Sequence, residues 1–283
     1  METKYLAYAA IALLLASCSN DEDFVPQDNL KGTPITVTAA VAELATRAGY
    51  NEDNLPTAFY LNVDNAVNNN YDYSSMMKYE NGEWVSYTAD GTEKRTMVWD
   101  DDMNKVTATA ATYPLSDAQS LTVQSDQSTA EAVKASDHLY MAATEVDLRE
   151  TDGIIPVTLS HIMSKVKLTI TLAGEFNNSE INPISNVTVT GIIPWEGTYT
   201  KPTAQYEVIL VPETVASGEF AVAFNIGERT FKWTSASAVT LESGYEYTLT
   251  LNVGKDNIGD VTFSASEWGN GNGENGNIEV ETE

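Results

Sequence analysis

The chain has one cysteine, two histidines and few cations: 15 Lys and Arg stand against 41 Asp and Glu in 283 residues, a formal net charge of −26. Each shortage excludes something. With Cys18 as the single thiol, no disulfide can form within the chain. His138 and His161 fall in no HExxH, GxSxG or Cys–His pattern. Ser160 and His161 are sequence neighbours on a strand, so they face opposite sides and make no dyad. The negative surplus repels phosphates, which excludes nucleic acid as a partner and fits an exposed, soluble protein. The glycines form no phosphate-cradling loop between a strand and a helix. Helical periodicity is almost missing, and without crossover helices a parallel α/β fold is excluded. Two carboxylates suffice for glycosidase chemistry, but nothing in the sequence singles out a pair. Three adjacent acids, Asp100, Asp101 and Asp102, lack the spaced ligands and glycine turn of a calcium loop and read as a solvated turn.

Long apolar runs are also scarce. The one at the start, Tyr5 to Ala16 after Lys4, has the length of a signal-peptide core and is too short to span a bilayer. It ends Leu15-Ala16-Ser17-Cys18, which resembles the bacterial lipobox. Residues 1–18 are therefore expected to be a lipoprotein signal, with Cys18 carrying acyl lipid as the first mature residue. More than one acyl chain is needed for stable anchoring, since each buried methylene contributes only ~0.8 kcal/mol. No other cofactor is expected. Residues 19–32 read as a tether. Its acidic opening, Ser19-Asn20-Asp21-Glu22-Asp23, resembles the export signal of surface lipoproteins in gut and oral Gram-negative anaerobes.

What the chain does have is alternation of period two. In Thr33 to Tyr50, Ile35, Val37, Ala39 and Val41 alternate with Thr36, Thr38 and Ala40, the pattern of a half-buried strand. Burying Ile35, Val37, Val41 and Leu44 would contribute very roughly 5–10 kcal/mol at ~1.5–3 per side chain. Arg47 follows, with small Ala48 and Gly49 behind it, a good substrate for an arginine-specific protease. This is either an ordinary first strand followed by one of four arginines, or a removable plug with a scissile bond after it.

From Leu55 on the pattern is nearly all β. Phe59, Leu61 and Val63 alternate, and Met76–Tyr79 and Trp84–Tyr87 flank Asn81-Gly82, a hairpin signal because both positions favour positive φ. Met97-Val98-Trp99 reads as a short strand. Ser128-Thr129-Ala130-Glu131 has capping-box spacing before a short helix through Ala135. Glu150-Thr151-Asp152-Gly153 is rich in turn residues and is taken as a domain boundary, giving units of 33–152 and 153–283. In the second half Val166, Leu168, Ile170 and Leu172 alternate with Lys165, Lys167, Thr169 and Thr171, and Tyr245 to Val253 alternates over its whole length. Short strands at close intervals are the signature of β-sandwiches. The Gly/Asn-rich stretch 269–277 reads as a linker, and Ile278 to Glu283 as a very short acidic strand. The tryptophans at 84, 99, 195, 233 and 268 could be sugar platforms but are expected in the core or at sheet edges.

Two stretches carry a family resemblance. Asp126 to Lys134 closing on Ser136-Asp137-His138-Leu139-Tyr140-Met141 resembles the helix-and-strand segment late in the first domain of fimbrillin-like proteins. Val157 to Val166, with His161, Ser164 and Lys165, is similar to the family's H-x-x-S-K-V signature. The lipobox, the Thr46-Arg47-Ala48 junction and Ser266-Glu267-Trp268 fall where the family has them, so the resemblance extends along the whole chain. It implies an all-β fold of two tandem transthyretin-like β-sandwich domains with one short helix late in the first, and a structural or tip subunit of type V pili, not an enzyme. It also implies lipoprotein export to the cell outer membrane, cleavage after Arg47, loss of the strand 33–47, and filling of its groove by a neighbouring subunit's strand. The partners would be other fimbrial subunits, an arginine-specific protease and the outer membrane. The rival expectation is a glycan-binding lipoprotein that stays anchored and presents exposed aromatics.

Overall fold

The computed structural model describes residues 30–42, 50, 54–101, 105–115, 121–176, 181–268 and, for backbone alone, 276–278. It is built from strands, as the alternation predicts. In the first half these are β1 (Thr36–Val41), β2 (Ala58–Asn65), β3 (Tyr73–Glu80), β4 (Glu83–Thr88), β5 (Val106–Ala111), β6 (Leu139–Val146) and β7 (Ile154–His161), with helix α1 (Ala130–Ser136) ahead of β6. They form one sheet in the order β1-β7-β6-β5-β2-β3-β4. The alternate residues Phe59, Leu61, Val63, Ala108, Ala110, Ile155, Val157 and Leu159 share one buried cluster with Val37 and Val41 of β1. The sheet rolls over this core, and segment 93–99 joins its ends: Arg95 N–H donates to Ser86 C=O of β4 at 2.9 Å, and Ile35 N–H, just before β1, donates to Met97 C=O at 2.9 Å.

The second half holds β8 (Ser164–Leu172), β9 (Ile184–Val189), β10 (Trp195–Thr200), β11 (Thr203–Leu210), β12 (Thr214–Val215), β13 (Ala221–Ile226), β14 (Arg229–Thr234), β15 (Val239–Thr240), β16 (Tyr245–Val253), β17 (Ile258–Glu267) and β18 (Gly276–Ile278). A six-stranded sheet, β10-β11-β8-β16-β17-β18, packs through a second core on a three-stranded sheet, β14-β13-β9, with β12 and β15 as a small pair. Phe220, Phe224, Phe231 and Trp233 fill this sandwich from one side and Leu168, Tyr247, Leu249 and Phe263 from the other.

The Asn81-Gly82 hairpin forms as expected, with φ of 53° and 93° between β3 and β4. Five local readings change. Met97–Trp99 is not a strand: Val98 makes a single bridge to Pro34, and the segment crosses from one sheet end to the other. Asp100 is buried rather than solvated, and accepts a hydrogen bond from the Asn68 side chain at 3.2 Å. The helix is capped one residue later than the capping-box spacing predicts: Thr129 accepts from Ala132 N–H, while Ser128 N–H turns back to Asp126. Glu150–Gly153 is no boundary but the turn between β6 and β7 of one sheet, closed by Gly153 N–H on Leu148 C=O at 2.9 Å with φ of 50° at Asp152 and 74° at Gly153. The chain passes to the six-stranded sheet only after His161. Lys165, expected on the solvent face of β8, is 2% exposed.

Two strand pairs are parallel although neither is a simple strand–helix–strand unit: β1 with β7, and β8 with β16. In each case the partner comes from far along the chain, so the long connection that parallel pairing needs is made mostly of other strands, with α1 included between β1 and β7.

Candidate functional site

β1 is an edge strand. Its register runs from Thr36 opposite Ile154 to Val41 opposite Leu159, and β7 is its one sheet neighbour among the described residues. Ala42 N–H donates to Leu159 C=O at 2.8 Å, so the backbone groups of Thr36, Thr38 and Ala40 face β7 and those of Val37, Ala39 and Val41 face away. Side chains alternate at right angles to this. Val37 and Val41 are 5% and 3% exposed in the first core, Ile35 and Ala39 pack against it half-buried, and Thr36, Thr38 and Ala40 lie outside. Among the described residues, the approach to the strand carries bonds beyond those to β7. Gly32 N–H donates to Trp99 C=O at 2.7 Å, and Trp99 N–H donates to Thr33 C=O at 3.0 Å. Cys18, Leu44, Arg47 and Ala48 lie outside the described residues.

The signature residues His161, Ser164 and Lys165 come together elsewhere, at the seam where the chain leaves the first sheet for the second. His161 Nδ1 lies 2.7 Å from Asp137 Oδ1, both side chains almost wholly buried, and its ring stacks on Trp268 at 3.8 Å and 14°. Ser164 Oγ donates to Glu242 C=O at 2.7 Å. Lys165 Nζ lies 3.2 Å from Glu246 and 3.8 Å from Glu207, and 5.4 Å over the Trp268 ring. Lys167 holds the other Glu246 oxygen at 2.6 Å. Burying an ammonium requires such partners, because its desolvation is costly and paired carboxylates offset it. Around these groups Val133, Met163, Ile209 and Trp268 form a third apolar cluster, with Trp195 packed against it.

Sequence reasoning named the signature but missed what it meets. Asp137 lies inside the quoted D-x-L-Y-like stretch, yet nothing in the pattern pairs it with His161, 24 residues on. Gln127, fully buried, was also missed: its amide donates to Ile209 C=O and accepts from Ile209 N–H, both at 2.8 Å, tying the approach to α1 onto β11. Tyr50 N–H donates to Asp137 Oδ2 at 3.1 Å, and burial, with the Asp137 carboxylate second, raises the Tyr50 hydroxyl above its ordinary pKa.

The seam has the composition of a structural joint. Ser160 lies exposed on the opposite face from buried His161, so this serine does not face the imidazole. Among the described residues no group of three or more His, Cys, Asp or Glu is placed to hold a metal, and no helix is long and apolar enough to cross a membrane. Trp99, Trp233 and Trp268 are buried, and Trp84 packs edge-on against Phe59 at 4.6 Å, so these four are packing residues rather than a sugar-stacking row.

Rolled sheet, sandwich, seam and edge strand together define an all-β protein of several packed sheets. Comparison with known proteins gives the family. Residues 45–268 match the fimbrillin-like family, and the chain belongs to it. The match begins after β1, so it is shorter than the whole-chain resemblance read from the motifs. Among solved structures, a protein from Bacteroides ovatus assigned to cell adhesion superposes with a TM-score of 0.57 at 14% identity, over 84% of this chain and 98% of its own. One from Bacteroides uniformis, with the same assignment, gives 0.51 at 17% identity, over 83% and 98%. At such identities the likeness is one of fold. No curated protein sequence matches.

Proposed function

We propose that the chain is a fimbrial subunit that is exported as a lipoprotein through Cys18, held at the outer membrane, cleaved after Arg47, and assembled by exchange of its first strand for one from a neighbour. The observation that carries this is the position of β1. It is an edge strand that fills part of the core yet, among the described residues, pairs on one side only, and it precedes the stretch matched by the family. Taking it away exposes a row of unpaired β7 backbone groups above an apolar trough, the template an incoming strand completes. Its two sheet systems would be the two modules of such a subunit. Cleavage would sever the lipid anchor in the same step, so release and competence to polymerise coincide.

The donated segment lies beyond Trp268. β17 is built into its sheet, paired with β16 from Tyr245–Glu267 to Val253–Ile258 and burying Phe263, so Val261–Trp268 could not swing out without opening the second core. Among the described residues β18 is tied by three residue pairs, Phe263–Ile278, Ser264–Asn277 and Ala265–Gly276. Brief treatment with an arginine-specific protease tests the proposal: the product begins at Ala48 and forms higher oligomers, while Arg47→Ala stays monomeric. A chain cut at that bond that remains monomeric with added partner subunits refutes strand exchange. N-terminal sequencing of protein shed from cells provides the test in place.

A further inference from the structure

We propose that α1 is the bracket that keeps the connection from β1 to β2 in place when β1 leaves, with Asp137 and Lys134 as its two hooks. This deepens the function proposed above and rests on it. β1 and β2 follow one another in the chain but not in the sheet, where β7, β6 and β5 stand between them. β2 supplies Phe59, Leu61 and Val63 to the centre of the first core, each 1% exposed or less. A cut between β1 and β2 therefore creates a new chain end close ahead of a strand that must not move.

Among the described residues, α1 and its C-cap hold that stretch at two points. Tyr50 N–H donates to Asp137 Oδ2 at 3.1 Å, and its half-buried side chain packs on the first core. Lys134 Nζ donates to Asn54 Oδ1 at 3.0 Å. Both hooks come from the end of α1, where Asp137 is the C-cap. Asp137 cannot turn away, because its other oxygen is engaged by His161 at 2.7 Å and the imidazole is fixed by its stack on Trp268. The helix in turn is rooted in the seam. Val133 lies in the cluster with Met163, Ile209 and Trp268, and Ser136 Oγ accepts from Gln124 N–H while donating to Ala132 C=O. None of these contacts is made by a residue of β1. Losing everything before Ala48 removes neither hook. Asp137 acts here as a positioning residue, and the buried His161–Asp137 pair gains a purpose that a catalytic reading does not give it.

Hydrogen exchange on the full chain, before and after arginine-specific cleavage, tests the bracket. The Tyr50 amide exchanges slowly in both forms. Asp137→Asn, which removes the negative charge and one of the two acceptor oxygens, speeds it about tenfold or more, as loss of a hydrogen bond to a charged group implies. Leu249 and Leu251 in β16 keep their protection in that variant. Lys134→Met loosens the segment around Asn54, and Lys134→Arg restores it. The bracket is overturned if the wild-type Tyr50 amide exchanges at the unfolded rate while β2 stays protected, or if Asp137→Asn leaves it unchanged. Should Asp137→Asn fail to fold, the wild-type comparison before and after the cut decides alone. If no cut occurs after Arg47, processing is refuted while the uncut measurement still tests the bracket. A cut that frees Tyr50 refutes the bracket and leaves processing standing.

Discussion

Once the chain is cut, what retains β1 is non-covalent, and its strength can be worked from two side chains. Val37 and Val41 are the residues of β1 that lie deepest in the first core. Replacing each by alanine removes two methyl groups, ~1.6 kcal/mol per site at ~0.8 per buried carbon, so the pair weakens the seat by ~3 kcal/mol. At 1.4 kcal/mol per factor of ten, the cleaved strand of Val37→Ala/Val41→Ala dissociates roughly a hundredfold more readily. The assay is to cut the wild type, the double variant and a control Thr36→Ala/Thr38→Ala, whose side chains face outward, and follow release of the N-terminal peptide by gel filtration and mass spectrometry. Oligomers should appear in the same order as release. If the double variant releases its strand at the wild-type rate, or the control speeds release as much, β1 is not held by its apolar face and the plug account fails.

Three further outcomes follow from the seam and the second sheet. Lys165→Ala leaves Glu207 and Glu246 facing one another without the ammonium and should cost about 3 kcal/mol in a denaturant midpoint, whereas Lys165→Met, which keeps the packing on Trp268, should cost clearly less; equal losses would show that charge alone matters there. Gln127→Ala strands both backbone groups of Ile209 and should cost about 2–4 kcal/mol, with faster exchange confined at first to β11 and the approach to α1. Burial pushes the Tyr206 hydroxyl up to about 12 despite the hydrogen bond donated by Asn182. Its folded pKa thus lies above the ordinary value near 10, so the stabilisation is complete below pH 10 and is lost as pH rises from 10 to 12. Unfolding free energy should fall across that window more steeply in the wild type than in Tyr206→Phe, and equal slopes would refute the assignment.

The faces of the strands were legible in the sequence because period two states which side chains point inward. Val37 and Val41, Leu61 and Val63, Leu249 and Leu251 all went where alternation put them. Partners were not legible, since alternation is silent about which strand lies alongside. That is why β7 was assigned to the second unit and the parallel pairing of β8 with β16 was not foreseen. Alternation also fails where a second layer covers the outer face. Lys165 occupies an outward position, but at that end of β8 the outer face lies beneath Trp268 and the root of α1, so the residue that looks solvated is buried. The polar residues of the seam, Asp137, His161, Gln127 and Lys165, look like surface residues one at a time. Only the fold, bringing together positions up to about a hundred apart, makes them a joint.

The uneven fastening of β1 has a directional consequence. Thr33 and Ile35 are laced to the 97–99 strap at one extremity, whereas from Thr36 to Ala42 the lacing among the described residues runs to β7. In the strand exchange proposed above, departure would start at the Val41 end like a zipper, one residue pair at a time, with Gly32 to Ile35 the last to let go. A replacement strand can enter through the gap as it opens, so the trough over the core need never stand empty along its whole length.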